Sequence, residues 1–254
     1  MYNKINSDTK VEINMDTQKL LSYLRQCIKK YNMIQNGDKI AVGLSGGKDS
    51  IALLYGLKQL QYFYPEHFDL AAIHVNLGIN DSVDSINTMS FFCKELDVPF
   101  YHVNTNIYQI IFEERKEKNP CSLCAKMRKG ALNDMALSLT CNKVAYAHHK
   151  DDFIETSMLS LLFEGHYYCF PPVTHLDRTN LTIIRPMMYI EEKEVRGFVY
   201  KKQLPVINNL CPADGYTKRQ EIKEFIEQIT IKFPDINIKK NLNAALLTYF
   251  DKEQ

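Results

Sequence analysis

Apolar positions along the chain alternate between two patterns. Short runs rich in Ile, Val, Leu and Ala at 39–44, 69–76, 99–104, 143–147 and 182–185 read as strands buried on both faces. Between and after them, 49–62, 84–96, 122–138, 151–163 and 191–202 carry helical spacing. A further amphipathic helix is predicted from Asp16 to Tyr31, with Leu20, Leu21, Leu24 and Ile28 as its apolar stripe. Beyond Pro205 an irregular stretch leads into helices near 217–232 and 239–250. Strands alternating with helices predict an α/β fold, a doubly wound and mostly parallel sheet. The order divides the chain into an N-terminal helical segment, 1–36, a central α/β domain, 37–203, and a C-terminal extension, 204–254.

Composition narrows the class. The 254 residues carry 31 Lys and Arg against 30 Asp and Glu, a net charge of +1, so the strong basicity of many polynucleotide binders is missing. Basic residues cluster locally at Arg25, Lys29 and Lys30, at Lys126, Arg128 and Lys129, and at Lys201, Lys202, Lys218, Arg219 and Lys223. Such clusters serve either as solvated faces or as phosphate contacts. No stretch has the length of a membrane span, and Met1-Tyr2-Asn3-Lys4-Ile5-Asn6 lacks the apolar core of a secretory signal, which predicts a cytoplasmic protein without a membrane partner. Seven cysteines, an odd number, then suggest thiols or metal ligands rather than a disulfide framework.

The strongest chemical signal is Ser45-Gly46-Gly47-Lys48-Asp49-Ser50, between the apolar run 40–44 and the helical run that begins with Ile51. Two glycines allow a sharp turn and close approach of the backbone to an anion, and the helix start supplies free N–H groups and the positive end of its dipole. The Ser45 and Ser50 hydroxyls are further candidate donors. The spacing fits neither a Walker A loop nor the three-glycine dinucleotide fingerprint. It suits a pyrophosphate, with an ordinary glycine-rich turn as the plain alternative. In a doubly wound sheet, ligands collect beyond the carboxyl ends of the strands, where Asn76-Leu77-Gly78 and His148-His149-Lys150-Asp151-Asp152 also fall.

A second signal is Cys121-Ser122-Leu123-Cys124 with Cys211 far downstream. A closed zinc site ordinarily takes four ligands and a redox pair takes two. Three thiolates suit a cubane iron–sulfur cluster with one iron left open, against the alternative of buried structural cysteines. Cys27, Cys93, Cys141 and Cys169 stand apart within apolar patterns and are read as structural.

Taken together, the hexapeptide, Cys121-Ser122-Leu123-Cys124 with Arg128-Lys129-Gly130, His148-His149-Lys150-Asp151-Asp152, Pro171-Pro172, Ile184-Arg185-Pro186 and Asn209-Leu210-Cys211 followed by Arg219-Gln220 resemble the tRNA 2-thiocytidine synthetase family of PP-loop ATPases, from about Tyr31 to Phe250. The resemblance implies the adenine-nucleotide α-hydrolase-like fold and an ATP-dependent sulfurtransferase that adenylates a cytidine oxygen and replaces it with sulfur. It implies a 4Fe-4S cluster on Cys121, Cys124 and Cys211, and ATP with Mg²⁺. Ser45, Gly46, Gly47, Lys48, Asp49, Ser50, Asn76 and His148 are the expected nucleotide contacts, and Asp49, Arg128, Asp151 and Asp152 the expected catalytic groups, with either Asp151 or Asp152 available to the metal. tRNA, a sulfur donor such as a cysteine desulfurase, and a second copy in a homodimer are the implied partners.

The chain departs from that family at three places. Glu164 to Phe170 replaces a basic stretch before the Pro-Pro pair, Gly78 to Asp84 is acidic where the family carries a basic loop, and Asn208 stands in place of a cysteine. These departures keep two alternatives in view: the same activation applied to a small molecule or another nucleobase, and a non-catalytic nucleotide or metal sensor. Tyr167, Tyr168 and Phe170 are candidates either for stacking on a base or for packing.

Overall fold

A computed structural model describes residues 15–78, 82–116, 120–207 and 218–252. The elements follow in the order α1 (Thr17–Lys30), β1 (Asp38–Gly43), α2 (Lys48–Gln61), β2 (Phe68–Asn76), α3 (Val83–Glu95), β3 (Phe100–Asn104), α4 (Pro120–Ser138), β4 (Lys143–Ala145), α5 (Lys150–Leu159), β5 (Val173–Leu176), β6 (Leu181–Ile184), α6 (Glu192–Lys201), α7 (Lys218–Lys232) and α8 (Ile238–Lys252). Two π-helical turns, Gln109–Glu114 and Ser160–Glu164, complete the set.

The six strands form one sheet in the order β3-β2-β1-β4-β6-β5. All neighbours are parallel except β5, which runs antiparallel to β6 with Val173 opposite Ile184. The parallel strands and the α-helices were legible in the sequence to within a few residues, whereas the π-helical turn Gln109–Glu114 was not predicted. β5 was not predicted: it is an edge strand of four residues directly after Pro171-Pro172, too short to show a period.

Strand side chains alternate between two cores. Ile40, Val42, Ala72 and Ile184 face the larger one, shared with α1, α2 and the C-terminal helices. Ala41, Ile73, Val144 and Ile183 face a smaller one capped by Leu132 and Ala136 of α4 and by Ile111. α1 buries Leu20, Leu24, Cys27 and Ile28 and is N-capped by the Asp16 carboxylate, which accepts from Lys19 N. It lies so close to α2 that a Cβ on Gly56 would stand 2.5 Å from Leu24 Cδ1.

The four isolated cysteines are buried as expected, and burial pushes the thiols of Cys93 and Cys169 up to about 12. Of the aromatic group before β5, Phe170 packs between Phe153 and His148, at centroid distances of 4.6 and 4.5 Å, and Tyr167 meets Tyr249 edge-on at 4.7 Å. Tyr168 is left half exposed. No helix among the described residues is long and apolar enough to cross a membrane.

Candidate active site

Strand order reverses direction between β1 and β4, and a cavity of about 340 Å³ opens at that point beyond their carboxyl ends. Its walls come from Ser45, Asp49 and Ser50 of the turn after β1, whose Gly46, Gly47 and Lys48 do not line it, from Ile73 and Val75 of β2, from Ala125, Arg128 and Lys129 of α4, and from Tyr146, His148 and Asp152 after β4.

The turn after β1 is shaped for an anion. Gly46 takes φ +81°, and a Cβ there would stand 3.1 Å from Ile207 Cβ. Ile207 N–H donates to Gly46 O at 2.9 Å, so the chain after α6 is tied to this turn. Gly47 caps α2 without any side-chain hydrogen bond, which leaves first-turn N–H groups for a phosphate. The serine hydroxyls brace the turn: Ser50 Oγ donates to Gly47 O at 2.9 Å, and Ser45 Oγ accepts from Gly47 N–H at 3.3 Å. Lys48 leans sideways, its Nζ lying 2.9 Å from Asp49 Oδ2 and 3.1 Å from Glu192 Oε1.

The three candidate aspartates separate. Asp151 turns away from the cavity, accepting from Lys239 Nζ and from Glu192 N–H, each at 2.7 Å. Burial pushes its carboxyl up, but those two hydrogen bonds outweigh it and hold the group below the ordinary range. Asp152 lines the cavity with its oxygens engaged, Oδ2 by His149 N–H at 2.9 Å and Oδ1 by Arg219 at 2.7 Å. Asp49 lines it with Oδ1 buried and without a hydrogen-bond partner. An orphaned carboxylate oxygen beside a phosphate-shaped turn fits a divalent cation.

His148 lies on the opposite wall. Burial, then the charges of Arg185, Arg219 and Lys129, hold its pKa well below the ordinary range, so the ring is neutral. Arg185 is itself buried, stacked 4.9 Å over Phe170, and desolvation pulls it down to about 10. Burial and these neighbouring cations also lower Lys129. Asn76 does not line the cavity: its Oδ1 accepts from Gly78 N–H at 2.7 Å and so caps its own loop.

Cys121 is exposed and Cys124 half buried, neither in a disulfide, both in the first turn of α4, three residues apart and hence on one face. That donor pair fits an iron–sulfur or zinc centre. Cys211 lies outside the described residues. α4 runs from this pair to Ala125, Arg128 and Lys129, so the cysteine-bearing helix is itself a wall of the cavity. Sequence reading missed Tyr146, although its alternation with His148 at a strand end was available as a signal, and missed Glu192, which is drawn in only by tertiary contacts.

A helix without a side-chain cap after a glycine turn at the sheet's switch point, with one Asp49 carboxylate oxygen left without a hydrogen bond beside it, marks a PP-loop nucleotide-binding protein. The family profile described as the PP-loop domain matches residues 16–232, and the chain belongs to that family. Within it, the chain belongs with the tRNA-cytidine 2-sulfurtransferases. It is 35% identical over 236 residues to the tRNA-cytidine(32) 2-sulfurtransferase of Aeromonas hydrophila, covering 92% of this chain and 78% of that protein. It is 36% identical over 214 residues to the corresponding Pelobacter propionicus protein, covering 83% and 79%. Among solved structures, the U34-tRNA thiolase NcsA from Methanococcus maripaludis with its [4Fe-4S] cluster superposes with a TM-score of 0.73 at 23% identity, over 92% of this chain and 79% of that one, a likeness of fold.

Proposed function

We propose that the protein is an ATP-dependent tRNA thiolase that converts a cytidine, at position 32 as in its named relatives, to 2-thiocytidine. One observation carries the reading: the helix that begins with Cys121 and Cys124 and the pyrophosphate-shaped turn at Ser45–Ser50 wall the same cavity. The cytidine O2 attacks the α-phosphorus of ATP, the α–β phosphoanhydride bond breaks, and pyrophosphate leaves toward the first turn of α2. Asp49 Oδ1 would hold the Mg²⁺ that accompanies the phosphates and offsets their charge, and Arg128 and Lys129 line the cavity where negative charge develops. A sulfide-level sulfur then bonds to C2 as the C2–O bond breaks, AMP carries the oxygen away, and the sulfur-borne proton is released.

Cys121 and Cys124, with Cys211 as third ligand, would hold a 4Fe-4S cluster, which supplies an open iron for the incoming sulfur. The segment from 204 onward thereby contributes to the site. A donor such as a cysteine desulfurase supplies the sulfur, a homodimer is the assembly expected of the family, and the cytoplasm is where tRNA and ATP meet.

The test uses protein purified without oxygen, analysed for iron and acid-labile sulfide, then incubated with ATP, a sulfide source and unmodified tRNA. About four irons per chain and equal yields of AMP, pyrophosphate and 2-thiocytidine in the nucleoside digest are expected. AMP formation without any sulfur entering tRNA would overturn the assignment.

A further inference from the structure

Two neutral polar groups in the cavity are left over once the phosphate and metal contacts are assigned. Tyr146 Oη and His148 Nδ1 are buried and have no hydrogen-bond partner, and both residues line the cavity. They stand two positions apart where the chain leaves β4, so they project to one side, with ring centroids 5.7 Å apart. Behind them the His148 ring packs at a tilt against Phe170, whose ring in turn carries the Arg185 guanidinium. Arg185 Nη1 is fixed to Pro171 O at 2.6 Å and Thr174 Oγ1 at 3.1 Å. The pair is therefore mounted on a rigid wall facing the phosphate turn.

Buried polar atoms without partners are costly and mark a place where a ligand completes the hydrogen bonding. Charge narrows the ligand. Burial pushes the Tyr146 phenol up to about 12, so it keeps its proton, and burial, with the cations around it, keeps the His148 ring unprotonated. The complement is a neutral edge with an acceptor beside a donor. Cytosine presents that pair as N3 and N4–H₂, and uracil reverses it with N3–H and O4.

We propose that Tyr146 and His148 are the residues that read the target base, Tyr146 donating to cytosine N3 and His148 Nδ1 accepting from N4–H. This assignment rests on the thiolase reading of the cavity. A tyrosine hydroxyl can rotate to accept from uracil N3–H, whereas His148, as the Nε2–H tautomer that the proposal requires, turns its Nδ1 lone pair toward uracil O4 with no proton between them. Discrimination therefore resides in His148 and overall affinity in Tyr146. Leaving one such group unpaired is worth roughly tenfold to a hundredfold in binding.

The test is equilibrium titration of the full chain, with a non-hydrolysable ATP analogue and Mg²⁺ present, by CMP and by UMP, following the imidazole resonances by NMR. The wild type is expected to bind CMP at least tenfold more tightly than UMP and to shift the His148 signal with CMP alone. Tyr146→Phe, nearly isosteric, should weaken both nucleotides about tenfold and leave the analogue's affinity unchanged. His148→Phe, which keeps an aromatic ring against Phe170, should bring CMP and UMP within about threefold of each other. Equal binding of CMP and UMP by the wild type, binding of neither, or variants that lose the ATP analogue while the CMP preference persists would each overturn the proposal. The readout needs no turnover, so it separates from the function itself. A protein that prefers CMP through these residues but never thiolates tRNA retains this inference and loses the function. One that thiolates tRNA with the preference unchanged in both variants does the reverse.

Discussion

Arg219 donates from Nη1 to Asp152 Oδ1 at 2.7 Å and from Nη2 to Thr156 Oγ1 at 3.0 Å, pinning the start of α7 to the first two turns of α5. Asp152 also lines the nucleotide cavity, so the C-terminal helices and the site share a carboxylate. Arg219 is partly exposed, which limits the stabilisation to about 1 kcal/mol. Arg219→Ala is accordingly expected to cost about that much in urea unfolding. It should also lower the rate of AMP formation several-fold, because Asp152 loses the partner that orients it. A variant with wild-type turnover would show that α7 is merely packed against the site.

The separation of the aspartates leads to opposite outcomes for three similar substitutions. Asp49→Asn removes the free oxygen assigned to Mg²⁺ and should reduce pyrophosphate release a hundredfold or more with the melting temperature nearly unchanged. Asp151→Asn strands Lys239 and weakens the tie to Glu192 N, with an expected loss of about 2 kcal/mol of stability and a smaller loss of activity. Asp152→Asn should affect both. Parallel measurement of melting curves and of pyrophosphate release at several Mg²⁺ concentrations checks the ranking. A large shift in Mg²⁺ dependence from Asp151→Asn rather than Asp49→Asn would contradict it.

Gly46 combines a left-handed backbone with tight packing on Ile207. Gly46→Ala should cost roughly 1–3 kcal/mol, since the left-handed conformation penalises a Cβ and the turn cannot easily shift while Ile207 N–H is bonded to Gly46 O. ATP affinity is expected to fall at least tenfold with it, read by calorimetry with the non-hydrolysable analogue. Removing the obstacle with Ile207→Gly in the Gly46→Ala background, which takes away both Ile207 Cβ and Cδ1, should restore part of the affinity, because only the steric share of the cost is relieved.

The parallel sheet and its switch point were legible because buried strands have continuous apolar runs and the phosphate turn has an unusual composition. Less legible was everything made by contacts between distant residues. His148-His149-Lys150-Asp151-Asp152 displays two adjacent carboxylates, and nothing local says that Asp151 answers to Lys239, 88 positions away, while Asp152 answers to Arg219. The placement of Lys48 against Glu192 is of the same kind, since the lysine stands in the phosphate motif yet braces α6. Asn76 shows the converse: a strand-end position was readable, but its side chain closes a hydrogen bond within its own loop.

Glu155 offers a pH test that isolates one buried group. It is 6% exposed, and burial outweighs the attraction of Arg219 to push its carboxyl up to about 7, from an ordinary value of 4.5. Between those two values the folded chain holds a proton that the unfolded chain releases, so stability falls as pH rises through that window and the loss is complete above about pH 7. The full effect is on the order of 3 kcal/mol. Glu192, whose carboxyl is lowered because Lys223 and Lys48 outweigh its burial, has the opposite sign, but its window lies below 4.5 and leaves pH 5 to 8 undisturbed. Glu155→Gln should therefore flatten the dependence, becoming more stable than the wild type at pH 8 and nearly equal to it at pH 5 in urea unfolding. A wild type that gains stability between pH 5 and 8 relative to the variant would mean that Arg219, 3.6 Å away, keeps Glu155 ionised throughout.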